Sequence, residues 1–523
     1  MSNPFTNILA NKPKRNKFDL SHEKKMSAKF GQLYPILHEE VIPGDSFRVN
    51  SQIFIRFAPL LAPVMHRIDV FTHHFFVPNR LLWDKWETFI TGGDESQHTA
   101  PDDPSLNPEF PYLAILEGNK SSYAKGSLAD YFGIPIPDGT LPSGATDAIH
   151  ISALPFQAYQ LVYQEYYRDQ NLVPKNVEPL SEGNNTSSTG VLMEFQERAW
   201  AKDYFTSALP WTQKGGEAEI PLAFDPTSQT QILNSLTGNP SDGNLEASSP
   251  NGYLTSDGTL ARIQPGEINA VKVNDLRKAV RLQTWLEKQA RGGSRYIEQI
   301  KAHFGVNSSD SRLQRPEYLG GSKQPVQISE VLNQTGATDD SGGGSDIEFT
   351  PQGTMTGHGI SAGSGGFKRT FEEHGQLISI MSVVPKRAYQ QGLHRKWRKF
   401  DKFDYFWPDF AHLGEQPVYM TEIFCEHTSD SVDNFDVAFG YQQRYAEYKY
   451  AVDNVSGDFR DNLAFWHMSD IWESKPFLNE TFITCRPRTD IFAVDDGTDY
   501  LWIQIYHKID AIRPIPYFSV PEL

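Results

Sequence analysis

Residues 67–90, RIDVFTHHFFVPNRLLWDKWETFI, constrain the fold more than any other stretch. In an extended chain, successive side chains point to opposite faces. Ile68, Val70, His74 and Phe76 would then share one face, and Phe71, Phe75 and Val77 the other. A strand apolar on both sides must be covered on both sides, as in a packed sandwich or barrel. Pro78 removes a ladder donor and stops it. From Asn79 onward Leu81, Leu82, Trp86, Phe89 and Ile90 recur at helical spacing, which predicts a short amphipathic helix.

The rest of the chain supplies partners for such a strand. Pro43-Gly44-Asp45 is a turn signal, and residues 46–57 (SFRVNSQIFIRF) alternate well enough for a strand. Residues 376–384, 418–425, 482–485 and 500–507 read as further strands. Strands at both ends require the C-terminal ones to return and pair with the N-terminal ones, as in Greek-key and jelly-roll topologies. Between them lie helical patterns. Residues 126–137 read as a helical turn closed by Gly133, and residues 152–170 as a helix with Pro155 in its first turn. Its stripe of Phe156, Tyr159, Val162, Tyr163, Tyr166 and Tyr167 suits core packing or a subunit interface better than a stacking platform for bases. Asn274 caps a helix that ends at Gly292-Gly293, and a second follows from Ser294 to Gly305. Residues 336–366 are glycine-dense and read as a loop.

At 523 residues the chain can be one large β domain with long insertions, and plentiful Gly and Pro without a repeat suit many turns. The N-terminal residues lack the apolar core of a signal peptide, and no apolar run is long enough to span a bilayer, so a soluble cytoplasmic product is expected. Two cysteines, Cys425 and Cys485, imply no disulfide framework.

A formal charge of −17 argues against a general nucleic-acid binder, yet the charge is unevenly spread. Within residues 1–30, Lys12, Lys14, Arg15, Lys17, Lys24, Lys25 and Lys29 oppose only Asp19 and Glu23. A solvated terminus and a phosphate-contacting arm would both have this composition. A second basic cluster, KRAYQQGLHRKWRKFDK at 386–402, interleaves cations with Tyr389, Trp397 and Phe400, a mixture suited to single-stranded nucleic acid and also to an interface rich in ion pairs. Candidate nucleic-acid contacts are therefore Lys12, Lys14, Arg15, Lys17, Lys24 and Lys25, with Arg395, Lys396, Trp397, Arg398 and Lys399. Residues 215–261 contain no Lys or Arg at all and form a long polar insertion.

Catalytic and metal motifs do not hold together. Gly359-Ile360-Ser361-Ala362-Gly363 matches G-x-S-x-G, but no strand–turn–helix context surrounds it. His73 and His74 are adjacent on a strand and face opposite ways, so they cannot share one ion. No phosphate-binding loop, zinc spacing or dinucleotide fingerprint appears, and no catalytic residue, metal or cofactor is expected.

Several segments resemble one family when taken together. They are FFVPNRLLWDKW at 75–86, ALPFQAYQLVYQEYYRDQNL at 153–172, DYFTSALPWTQKG at 203–215, ARGGSRYIEQIKAHFGV at 290–306, FGYQQRYAEYKY at 439–450 and QIYHKIDAIRPIP at 504–516, with shorter matches between. In this order they resemble the major capsid proteins of the Microviridae, small tailless single-stranded-DNA phages, and within these the gokushovirus-like branch.

The resemblance implies a mainly β fold: an eight-stranded antiparallel jelly roll of viral-capsid type, with long insertions carrying short helices. It implies a basic arm over 1–45 and a capsid domain over 46–523, with insertions at about 91–150, 173–196, 215–272 and 306–375. Sixty copies would form a T=1 icosahedral shell around circular single-stranded DNA, assembled in the host bacterial cytoplasm. The insertion at 215–272 would project outward near the three-fold axes, where a host receptor could be met. A small basic DNA-packaging protein and a scaffolding protein would be partners. The competing reading is a jelly-roll carbohydrate-binding protein or glycosidase, which would need paired carboxylates in a groove.

Overall fold

The computed structural model describes residues 14–91, 108–216, 273–332, 355–425, 437–494 and 497–518, with residues 218 and 353 and short strands within 231–264. The strands that build the fold are β1 (Asn16–Asp19), β2 (His22–Ala28), β3 (Tyr34–Val41), β4 (Ser46–Phe57), β5 (Ile68–Pro78), β6 (Glu317–Pro325), β7 (Gln327–Leu332), β8 (Met355–Thr370), β9 (Gly375–Pro385), β10 (Glu415–Tyr419), β11 (Ala438–Gln443) and β12 (Leu501–Arg513). All their pairings are antiparallel. A six-stranded sheet runs β1–β12–β4–β8–β7, with β2 continuing β1 along the same edge of β12. A four-stranded sheet runs β6–β5–β9–β3. The two-stranded pair β10–β11 lies apart from both.

The opening and closing strands meet as the layout of the sequence requires. Phe57 pairs with Leu501 and Ser46 with Ile512, so β4 and β12 are zipped along their whole length. The turn between β3 and β4 is tied to the same strand. Asp45 is fully buried and accepts from the Arg513 guanidinium at 2.9 and 3.0 Å and from the Ile42 amide at 3.0 Å. Gly44 supplies the positive φ, 93°, that the turn needs.

The two sheets pack face to face. Ile53, Ile55, Phe57, Leu501, Ile503 and Ile505 come from the six-stranded sheet, and Tyr34, Ile36, Ile68, Val70, Met381 and Val383 from the four-stranded one. Toward the other end Phe47, Val49, Phe367 and Ile509 meet Leu37, Phe76 and Leu377. Each such side chain, taken fully out of water, contributes roughly 1.5–3 kcal/mol.

A second core lies on the far side of the four-stranded sheet. There Phe75, Val77, Ile378 and Ile380 are covered by Leu82, Trp83, Tyr123, Leu128, Phe156 and Tyr159. Helices α1 (Asn79–Leu82), α3 (Leu128–Phe132) and α4 (Leu154–Val162) deliver most of these covers, while α2 (Trp86–Thr91) follows α1 at the margin. β5 is thus buried on both faces for the reason its sequence suggests, and every residue of β9 is buried.

Several local expectations change. The helix after Pro78 is two helices, because Trp83 is extended (φ −146°, ψ 121°) and fully buried in the second core. α2 buries none of its residues. The helix expected over 152–170 is α4 followed by one π turn at Tyr163–Tyr167, and Phe156, Tyr159 and Val162 are core. The glycine-dense stretch is in part the longest strand of the fold, β8, so the loop expected over 336–366 is corrected for residues 355–366. Glycine permits a close approach there: a Cβ at Gly366 would collide with the Val49 carbonyl, and one at Gly359 with the Phe57 ring. Strand expectations at 420–425 and 482–485 give way to short helices at Met420–Ile423 and Glu480–Ile483. Asn479 caps the latter by accepting from the Phe482 amide at 3.0 Å. Residues 16–41 of the expected basic arm are the strands β1, β2 and β3. The result is a mainly antiparallel β protein with helical insertions.

Candidate nucleic-acid and assembly surfaces

The segment 386–402 leaves β9 and folds onto a third apolar cluster, built by Tyr204, Phe205, Tyr389, Val418, Ile423, Phe439 and Phe482. Its cations are largely held from within. Arg387 is buried, pairs with Asp470 at 2.5 Å, donates to the Phe482 carbonyl at 2.6 Å and stacks 4.0 Å from the Phe482 ring. Lys386 pairs with Asp453 at 2.6 Å. Arg395 donates to the Pro417 carbonyl at 2.7 Å and lies 3.5 Å from Glu422. Arg398 donates to the Thr421 hydroxyl at 2.8 Å and sits over the Tyr419 ring. The Lys399 ammonium is buried beside Glu447 and over the Tyr448 ring at 3.8 Å. Lys396 and Trp397 face solvent, Trp397 with 66% of its surface exposed.

A cavity of about 700 Å³ opens beside this segment, lined in part by Tyr204, His394, Lys396, Trp397, Glu422 and Glu447. Two carboxylates facing one cavity are what a glycosidase groove needs, but both are engaged. Glu422 accepts from the Tyr204 hydroxyl and the Tyr419 amide, each at 3.0 Å, and Glu447 from the Gln416 amide at 2.7 Å. Burial raises the Glu422 carboxyl above the usual range, while the Tyr419 amide and Arg395 oppose the shift.

The N-terminal cations are also drawn into the sheet. Lys17 pairs with Asp510 at 2.7 Å, and Lys25 with Glu23 at 3.6 Å. Lys24 points inward, donating to the carbonyls of Pro35 and Tyr131 at 2.8 and 2.5 Å, and burial lowers its ammonium to about 8. Lys14 and Arg15 are exposed, and Lys12 lies outside the described residues. The insertion expected at 215–272 lies mostly outside them too; its described parts are residues 215, 216 and 218 and four short antiparallel strands, Gln231–Asn234, Glu246–Ala247, Leu254–Ser256 and Thr259–Gln264.

The residues that could carry chemistry serve packing. Ser361 is in the middle of β8, buried, and donates to the Pro325 carbonyl at 3.0 Å, with no elbow around it. His73 and His74 do face opposite ways: His73 meets the Tyr167 hydroxyl and His74 the Ser379 hydroxyl, each at 2.7 Å. Both cysteines are free thiols. Cys485 is buried, with its thiol pushed up by desolvation, and Cys425 is half-buried. Among the described residues no three His, Cys, Asp or Glu side chains gather as metal ligands.

What the surface does offer is apolar area. Helix α5 (Val273–Gly292) buries only Ala290 and exposes Val273, Leu276, Val280, Leu282 and Trp285. At the end of the basic cluster and just beyond it Phe400, Phe403, Tyr405, Phe406 and Trp407 are exposed, Phe400 at 90%. Two segments, each with several large apolar side chains in solvent, are more than scattered single exposures. A family model described as "Capsid protein (F protein)" matches residues 6–523.

The chain belongs to this family of major capsid proteins of the Microviridae. It is similar to the Capsid protein VP1 of Chlamydia phage 1, with 34% identity over 100% of this chain and 98% of the relative. It is also similar to VP1 of Bdellovibrio phage phiMH2K, with 33% identity over 99% and 97%. VP1 of Spiroplasma virus 4 is 28% identical over 99% and 97%. A capsid protein is structural, not enzymatic, and its place is the virion shell; the glycosidase alternative falls with this assignment. The exposed apolar faces are the feature sequence reading passed over. The signal was present in α5, where apolar residues fall on more than one helical face.

Proposed function

We propose that sixty copies of this capsid chain close into a T=1 shell around circular single-stranded DNA, and that its two packed sheets are an eight-stranded jelly roll. The strand order supports the second part: β2–β12–β4–β8 faces β3–β9–β5–β6, the two-sheet alternation in which chain neighbours fall in opposite sheets except β5 and β6, which pair side by side. The observation that carries the first part is the exposed apolar surface on α5 and at 400–407, which a lone subunit has no use for and an obligate interface would bury.

In this reading the polar, cation-free insertion at 215–261 faces outward and meets the host, while Lys14, Arg15 and Lys25 face the genome together with Lys396 and Trp397. Arg395, Arg398 and Lys399 support that surface from behind by holding the segment to Glu422, Thr421 and Glu447. A small basic packaging protein shares the neutralisation of DNA, which reconciles the −17 charge with the cargo. Assembly proceeds in the bacterial cytoplasm with a scaffolding partner.

Negative-stain electron microscopy of the protein made alone, and with phage genome and scaffold, tests the proposal. Uniform round shells are expected in the second preparation. Persistent monomers in both would overturn it.

A further inference from the structure

No insertion packs over the outward face of the six-stranded sheet among the described residues, so along β4 and β12 buried and exposed side chains alternate almost without interruption. Register defines what this bare face presents. Residues directly opposite one another share a face. Arg56 is opposite Trp502, Phe54 opposite Gln504, Gln52 opposite Tyr506, Asn50 opposite Lys508 and Arg48 opposite Asp510. On one flank Lys25 is opposite Gln504 and Lys17 opposite Ile512, and on the other Lys368 is opposite Arg48.

Six cations, Lys17, Lys25, Arg48, Arg56, Lys368 and Lys508, therefore share the face with three carboxylates, Asp19, Glu23 and Asp510. In a chain of charge −17 that is a pronounced local reversal. Lys17 and Lys25 spend their charge on Asp510 and Glu23. Arg48, Arg56, Lys368 and Lys508 form no close ion pair among the described residues, unlike most cations of the 386–402 segment. Hydrogen bonds from Ser21 hold the Asp19 carboxyl down, and Lys508 is near enough to help. Aromatic rings lie among them. Trp502 and Tyr506 are exposed on the same face of β12, Phe54 is half-exposed between their rows, and the Arg56 guanidinium is 5.3 Å from the Phe54 ring centroid. Unpaired cations beside solvent-facing rings on an open antiparallel sheet provide phosphate attraction and base stacking together.

We propose that this sheet face binds single-stranded nucleic acid, with Arg48, Arg56, Lys368 and Lys508 on phosphates and Phe54, Trp502 and Tyr506 stacking on bases. The occupant's identity rests on the shell reading above; the site itself rests on register, exposure and charge. Binding here is independent of sequence, because backbone charge and ring faces do not distinguish bases.

The test uses the full chain before assembly and a labelled oligothymidylate, with affinity measured by fluorescence anisotropy across a salt series. Replacing Arg48→Gln, Arg56→Gln and Lys508→Gln together should reduce the slope of log affinity against log salt by about 2, from about 0.7 per cation lost on a single strand. A charge-matched control, Lys125→Gln, Arg277→Gln and Lys288→Gln, removes three exposed cations elsewhere and should leave the slope unchanged. Phe54→Ala with Trp502→Ala should weaken binding about tenfold or more at an unchanged slope. Circular dichroism melts of each variant confirm folding. The proposal is overturned if the sheet triple variant matches the control. It is also overturned if that variant keeps oligonucleotide affinity but stops shell formation, since the face would then be a contact between copies. A wild-type chain that binds the oligonucleotide yet never forms shells would remove the shell reading and leave this site standing.

Discussion

On β9 every residue is buried, whereas on β12 buried and exposed residues alternate along nearly the whole strand. The two strands occupy central positions in facing sheets of one sandwich and have similar lengths, yet one sheet has helices α1, α3 and α4 laid over its far side and the other has no element over it among the described residues. The difference teaches which surfaces the fold reserves for itself. The covered sheet serves the chain's own stability, and the bare one carries charge and rings that the chain does not use internally.

Acid should break the comparison first, because its targets lie between the sheets. His74 on β5 and His507 on β12 are both fully enclosed, and burial, then neighbouring histidines, lowers each ring to about 4. Unfolded rings take up protons below about 6.5 while these resist until about 4, so stability is intact above pH 6.5 and falls across that window. The loss should be on the order of 2–3 kcal/mol per ring. Denaturant midpoints of the unassembled chain at pH 7.5 and pH 4.5 measure it, and His74→Gln with His507→Gln should flatten the dependence by about two protons. A second change of similar size strikes the third apolar cluster, outside both sheets. Arg387→Ala strands the buried Asp470 and should cost about 3–5 kcal/mol by the same assay. Truncating the covered sheet, Ile378→Ala, should cost about 2–5 kcal/mol from lost burial and the cavity left behind. Tyr506→Ala on the bare face should move the midpoint by no more than about 0.5 kcal/mol. If the last two substitutions cost the same, the distinction between the sheets fails.

The sandwich was legible because burial writes itself into composition. β4 follows its alternating residues from Ser46 to Phe57, and β5 could not have been half-exposed with Phe71, Phe75 and Val77 opposite Ile68, Val70 and Phe76. The family was legible from ordered segments spread over the chain. β8 was not, because glycine signals a loop unless one knows which neighbour it lets near, here the Val49 carbonyl and the Phe57 ring. Nor could the basic segment at 386–402 be parsed, since its acidic partners Glu422, Glu447, Asp453 and Asp470 lie further along the chain and only the fold brings them to it. The cations on β4, β8 and β12 escaped notice for the converse reason. Arg48, Lys368 and Lys508 are separate in sequence, and only strand register makes them a cluster.

The pairing of β4 with β12 also sets a timetable. β12 is bonded to β4 on one edge and to β1 and β2 on the other, so three early strands wait for a late one. During synthesis their edges stay open until residues near 500 leave the ribosome, and contacts so distant in sequence form slowly. The early strands and the bare charged face cannot mature separately: the face is complete only when β12 arrives and the sandwich closes. A nascent chain that stops short of residue 501 therefore has neither a closed sandwich nor the complete charged face.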